Sequence, residues 1–181
     1  MAPVTETRLP IWQLRLTDLW WLLAYPLYQT FGTIRHEGSH ALAALAEGAD
    51  VKKFVIYPQT DLGRFTWGYT EWTGSTGWFT DFAPYLNDLL WFVGFFFLIT
   101  RIDWRWHALW LNVGIVGLLS PLLNSGVQYV ISFWSPESDV AKLREGSEAL
   151  VHLYFLLTLA TYVFGIWVVV RRTPKFLLPP E

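Results

Sequence analysis

No cysteine occurs among the 181 residues, which excludes disulfides and any thiolate metal site and leaves imidazole and carboxylate groups to hold a metal. Charge is also scarce. Asp, Glu, Lys and Arg make up 15% of the chain, against the quarter or so usual in soluble domains. Thirteen basic residues stand against fifteen acidic ones, a net charge of -2. That leaves no basic excess for phosphate binding, so nucleic acid is excluded as a partner class. An internal repeat and a separate soluble segment are both missing, and a single polytopic domain over 1–181 is expected. No small-residue cleavage site follows a short apolar core near Glu6 and Arg8, so the first hydrophobic span is expected to stay in the membrane.

What the chain has in abundance is apolar and aromatic surface: 53% hydrophobic residues and twelve Trp. Amphipathic indole rings settle at headgroup depth, and lipid is the solvent this composition suits. Four stretches, about 18–47, 82–100, 107–134 and 149–170, are apolar enough to cross a bilayer, given that roughly 20 helical residues match its hydrocarbon thickness. The first holds Pro26 and Gly32, which predicts a kink or a break there. Between the first two spans, the segments 51–57 and 64–70 are rich in β-branched and aromatic residues and are separated by Pro58 to Gly63. They read as the two strands of a hairpin over about 51–72, lying at the membrane surface. The expected fold class is therefore an all-α integral membrane protein, with about four transmembrane helices and a short β-hairpin between the first and second.

Three polar features interrupt the spans: the cluster from His36 to His40, the pair Asn87-Asp88, and Asn124. Unsatisfied polar groups in hydrocarbon cost several kcal/mol each, so these residues should face a protein interior or a water-filled cavity. Helical positions four apart share a face, so His36 and His40 can present two imidazole nitrogens to one ion, and zinc suits such donors. Glu37 beside them is placed to act as general base toward a metal-activated water, which makes the chemistry of His36-Glu37-Gly38-Ser39-His40 that of metal-assisted amide hydrolysis. A catalytic zinc normally takes three protein ligands and keeps one position open. The third can come from Asp81, Asp88, Asp139 or Asn124; His107 and His152 read as interfacial or bundle histidines. The bland alternative is a structural polar network in which Arg35 pairs with Glu37.

With these residues in view, the sequence resembles the site-2 protease family of intramembrane zinc metalloproteases, and its small bacterial branch in particular. The likeness runs from about Gly32 to Tyr154. It begins at Ile34 to Ala44 around the zinc motif, passes through Gly48 to Phe54 as the following strand, and reaches Phe82-Ala83-Pro84-Tyr85-Leu86-Asn87, where Ala83 stands in place of a usual Gly. Larger members carry a Leu-Asp-Gly ligand motif, and the matching stretch here, Leu123-Asn124-Ser125-Gly126, has Asn for Asp. The small branch resembles instead Ser138-Asp139-Val140 ahead of a short helix leading into the last span. The resemblance thus implies His36, His40 and Asp139 as zinc ligands and Glu37 as the catalytic base. Asn87 or Asn124 would hold substrate or the developing oxyanion. It also implies a membrane-protein or peptide substrate and a bacterial inner membrane location.

An unpaired hairpin edge could take an extended substrate as an added strand. With four alternating spans, Lys52, Lys53, Arg64, Lys142 and Arg144 fall on one side and Arg8, Arg15, Arg101, Arg105, Arg171, Arg172 and Lys175 on the other. The positive-inside rule then puts both termini in the cytoplasm and the zinc site toward the opposite face, whereas the better-known relatives keep their site nearer the cytoplasm. The rival reading is a non-catalytic membrane subunit of a larger assembly that keeps the protease-like bundle and packs on membrane-protein partners through its aromatic surface. A metal-dependent lipid hydrolase is a third, with no residue that selects it.

Overall fold

The computed structural model describes residues 19–61, 64–102 and 107–171. Helix α1 (Trp20–Ala46) runs without interruption, where a kink or break at Pro26 and Gly32 was expected. Pro26 lies within the first two turns and deletes one backbone bond, so the ladder beyond it stays intact. Hydroxyls of Thr33 and Ser39 reach back to the carbonyls of Gln29 and Arg35, at 2.9 and 2.7 Å, which keeps these polar side chains satisfied within the helix. A Schellman motif ends α1: Gly48, at φ +87°, lets its own N–H reach Leu45 O at 3.1 Å and that of Ala49 reach Ala44 O at 2.9 Å.

The chain then forms one hairpin with two successive antiparallel ladders. Strands β1 (Asp50–Val55) and β4 (Tyr69–Thr73) pair from Asp50 with Thr73 to Val55 with Tyr69, with an irregularity between Val51 and Lys53. Strands β2 (Gln59–Asp61) and β3 (Arg64–Thr66) pair beyond them toward the tip. The expected pairing of 51–57 with 64–70 is thus corrected. Pro58 has no N–H to give a ladder, the first strand stops at Val55, and β2 draws in residues that had read as turn.

Helix α2 (Trp78–Arg101) lies at the centre, packed against α1 and against the helices that follow it. Next come α3 (His107–Val113), a π-helical segment (Gly114–Leu119) and α4 (Ser120–Ile131). Pro121 cannot donate to Gly117 O, so the regular α ladder fails there and the wider π turn fits the gap. Gly117 is needed for a second reason, since a Cβ on it would collide with the Phe95 ring of α2. Helix α5 (Asp139–Arg171) is broken at Ser147, whose backbone is extended; a short helix at the surface leads into the long apolar one.

Two apolar clusters join these helices, Phe92, Ile99, Trp110, Leu118 and Leu122 in one, and Tyr85, Val140, Leu143 and Phe155 in the other. Outside them the surface is apolar too: Leu90, Leu150 and Leu156 are more than 60% exposed, as lipid-facing positions would be. Among the described residues, three helical stretches, Trp78–Arg101, Gly114–Ile131 and Asp139–Val168, are long and apolar enough to cross a membrane. Helix α1 is as long, but Gln29, Arg35, His36, Glu37 and His40 make it more polar than those three. The protein is a mostly helical membrane protein with a small hairpin between its first two long helices.

Candidate metal centre

One helical turn separates His36 from His40 on α1, and their rings meet edge to face with centroids 5.0 Å apart. Asp139, the first residue of α5, comes in from the other side of the bundle. Its Oδ2 lies 3.2 Å from His40 Nε2 and 3.8 Å from His36 Nε2, and one potential ligand atom from each residue lies within 4.8 Å of the others. Ser138 makes this reach possible. Its hydroxyl accepts from Ala141 N at 3.4 Å, so the capping work at the start of α5 falls to Ser138 and the neighbouring carboxylate is free to face α1.

The tautomer of His40 follows from its second partner. Nδ1 lies 2.8 Å from the carbonyl oxygen of Thr80, which can only accept, so Nδ1 carries the proton and Nε2 of the neutral ring presents a lone pair. That lone pair and a carboxylate oxygen are both acceptors, and at 3.2 Å they require a cation or a further proton between them. A further proton would let His40 donate to Asp139, and His36 can donate from a neutral Nε2–H ring. A metal ion serves both, and the donor set of two nitrogens and one oxygen suits zinc. Among the described residues, Nδ1 of His36 is buried without a hydrogen-bond partner.

Glu37 is turned toward the hairpin. Thr70 on β4 places its hydroxyl 3.1 Å from Glu37 Oε2 and 3.0 Å from the Glu37 carbonyl oxygen, while Trp72, two residues on, stacks against His40 at 6.0 Å. Arg35 does not pair with Glu37. It forms an ion pair with Asp88 on α2, and Asp88 also accepts from Ser125 Oγ of α4 at 2.6 Å. Residues two apart on a helix do not face each other, whereas the interior side of α2 lies directly against Arg35. This removes Asp88 as a ligand candidate. Asp81 faces Lys142 at 3.9 Å, and Lys142 also approaches Asp139 at 3.8 Å.

A cleft of about 600 Å³ opens beside the cluster, lined by His36 and Glu37 of α1, Thr66 to Gly68 of the hairpin, Ile115 and Val116 of the π segment and Asn124 of α4. Asn124 therefore shares a cavity with Glu37. Asn87 does not line it: its amide donates to Ser39 Oγ at 2.8 Å and to Arg35 O at 3.5 Å, so both N–H groups are engaged on α1. Of the other histidines, His152 is engaged elsewhere: it hydrogen bonds with Tyr129 at 2.7 Å and approaches Glu148 at 3.4 Å. The His107 side chain lies outside the described residues. Reasoning from sequence overlooked Thr70, Thr80 and Glu47. No spacing could have found Thr80, which acts through its backbone carbonyl.

Among known proteins, no curated protein and no solved structure matches the chain. A family model described as Peptidase M50B-like matches residues 12–135, more than half of the sequence. It takes in the segment His36 to His40, the hairpin, α2 and α4, and ends four residues before Asp139. A match of this extent, on a helical membrane protein with paired histidines and a glutamate at the motif, shows that the chain belongs to the Peptidase M50B-like family, in keeping with its likeness to the site-2 proteases.

Proposed function

We propose that the protein is a zinc-dependent endopeptidase that cuts a membrane-protein segment or peptide at or within a bacterial inner membrane. His36, His40 and Asp139 hold the metal, and Glu37 is the general base. The observation that carries this reading is the convergence of two imidazoles and one carboxylate beside a cleft that His36 and Glu37 line. Bound there, zinc would act as a Lewis acid that polarises the scissile carbonyl and makes water easier to deprotonate.

The chain's own groups account for the proton path and for substrate geometry. Glu37 takes the proton from the attacking water as its oxygen adds to the carbonyl carbon, then delivers that proton to the nitrogen of the leaving amine as the C–N bond breaks. Asn124, which lines the same cleft, donates to the carbonyl oxygen as charge develops on it. Asn87 is held on α1 and supports the helix that carries the motif. Strand β3 borders the cleft, and its edge offers backbone donors and acceptors to an extended substrate.

Metal analysis and peptide cleavage in detergent test the reading together. Wild-type protein should hold about one zinc per chain and cut a set of quenched fluorescent peptides. Glu37→Gln should keep the metal and lose about a hundredfold to ten-thousandfold in rate. Protein that excludes zinc, or full cleavage by the Glu37→Gln variant, would instead support a non-catalytic membrane subunit.

A further inference from the structure

The hairpin is more than a cover over the helices. Side chains alternate along a strand, so Thr70 and Trp72 of β4 share one face while Glu71 takes the other. Glu71 points outward to Lys53, at 4.0 Å. The inner face meets the motif twice, Thr70 on Glu37 and Trp72 on His40. A close approach at Gly68 sets this docking, because a Cβ there would collide with the Thr33 side chain of α1 and with the carbonyl of Val55.

We propose that Thr70 is a positioning residue for Glu37, so that the hairpin completes the active centre; the inference rests on the proteolytic reading above. Among the described residues, Thr70 supplies the hydrogen bond to the Glu37 carboxylate. Arg35, the cation next in sequence, is already engaged by Asp88 and does not compete. A glutamate side chain has three rotatable bonds, and a base that must meet a water oxygen within hydrogen-bond reach gains rate from being held in one orientation. The Thr70 hydroxyl has a single proton and two acceptors, the Glu37 carboxylate and the Glu37 carbonyl. The charged acceptor is the stronger of the two.

The test uses the full-length protein in detergent, with the peptide best cut by the wild type. Thr70→Val removes the hydroxyl and keeps the shape, and Thr70→Ser keeps the hydroxyl. Thr70→Val should retain zinc, thermal midpoint and KM while kcat falls about tenfold to a hundredfold, the range a hydrogen bond to a charged group allows; Thr70→Ser should recover most of it. An unchanged kcat in Thr70→Val, or a Thr70→Ser variant no better than Thr70→Val, overturns the positioning role. Glu37→Gln run alongside separates the two proposals. Cleavage that survives in Glu37→Gln overturns the catalytic reading and the positioning role with it, whereas loss in Glu37→Gln with none in Thr70→Val overturns the positioning role alone.

Discussion

His40 and Thr80 are joined through the Thr80 carbonyl, 2.8 Å from Nδ1, and the hydroxyl of the same threonine donates to Glu47 at 2.6 Å. Glu47 also accepts from Gly77 N at 2.7 Å, so a carboxylate just past the end of α1 grips the first turn of α2. That turn carries the carbonyl that orients His40, a proposed metal ligand. Outer partners of this kind typically change metal affinity by about tenfold to a hundredfold. Glu47→Ala should therefore weaken zinc binding within that range, measured by competition with a chelator, although Glu47 is no ligand. An unaltered affinity would mean that the first turn of α2 holds its place without Glu47.

The same contacts give a pH dependence. The Thr80 hydroxyl, and then the Gly77 amide, hold the Glu47 carboxyl below its ordinary value despite an opposing cost of desolvation. A depressed pKa means that the folded state favours the ionised form. The resulting stability is complete above the unfolded value, about 4.3, and is lost as pH falls through the lower folded value. In protein stripped of metal, the difference in thermal midpoint between wild type and Glu47→Gln should be present at neutral pH and shrink under acid. A difference that stayed constant down to low pH would contradict this.

Of the three proposed ligands, Asp139 lies outside the matched family region, and its assignment can be checked against its neighbours. Replacing it by Ala should reduce zinc affinity by more than the roughly hundredfold upper range of an outer partner, because it removes an ionised donor. Asn124→Ala and Asp81→Ala should leave affinity within about that range. If Asp81→Ala proved the most damaging, the carboxylate facing Lys142 would be the ligand in its place.

Near the His36–His40–Asp139 cluster the Arg35–Asp88 pair is buried, with Ser125 as a third member. Removing one partner of such a pair costs about 3–5 kcal/mol because it strands a charge, whereas replacing both by apolar groups is often neutral. Asp88→Leu alone should thus destabilise strongly in chemical or thermal unfolding in detergent. The double variant Arg35→Leu with Asp88→Leu should recover most of that loss. If the double variant were as unstable as the single one, packing rather than charge would explain the effect.

How far the sequence discloses the site depends on the range over which each relationship acts. His36, Glu37 and His40 lie within two helical turns, where a period of 3.6 residues translates spacing into a shared face, and they could be read directly. Asp139 is 99 positions from His40, and only the resemblance to a known family singled it out from three carboxylates. Arg35 was matched to Glu37 by nearness in sequence, yet its partner is 53 positions away on α2. The hairpin was recognisable from its β-branched and aromatic content, but composition does not fix register, and Pro58 moved the first ladder toward residues 69–73. The bond from Thr70 to Glu37 depends on that register, so it could not be seen before the pairing was known.

Orientation can be tested without altering the site. The end of α1, the hairpin, and the starts of α2 and α5 meet at one end of the bundle: Glu47 binds the α2 turn and Asp139 opens α5. His40 is six residues from Ala46, the last residue of α1, so by helical rise the cluster sits about 9 Å inside that end. On the sequence expectation of four alternating spans, Lys52, Lys53, Arg64, Lys142 and Arg144 are assigned to this side and Arg8, Arg15, Arg101, Arg105, Arg171, Arg172 and Lys175 to the other. By the positive-inside rule the larger positive count predicts that the second side is cytoplasmic. Because the chain has no cysteine, a single Thr60→Cys change on the exposed hairpin can be probed with a membrane-impermeant maleimide. It should label in intact cells, while alkaline phosphatase fused after Glu181 should stay inactive. Labelling only after the cells are opened, together with an active phosphatase fusion, would place the zinc site toward the cytoplasm.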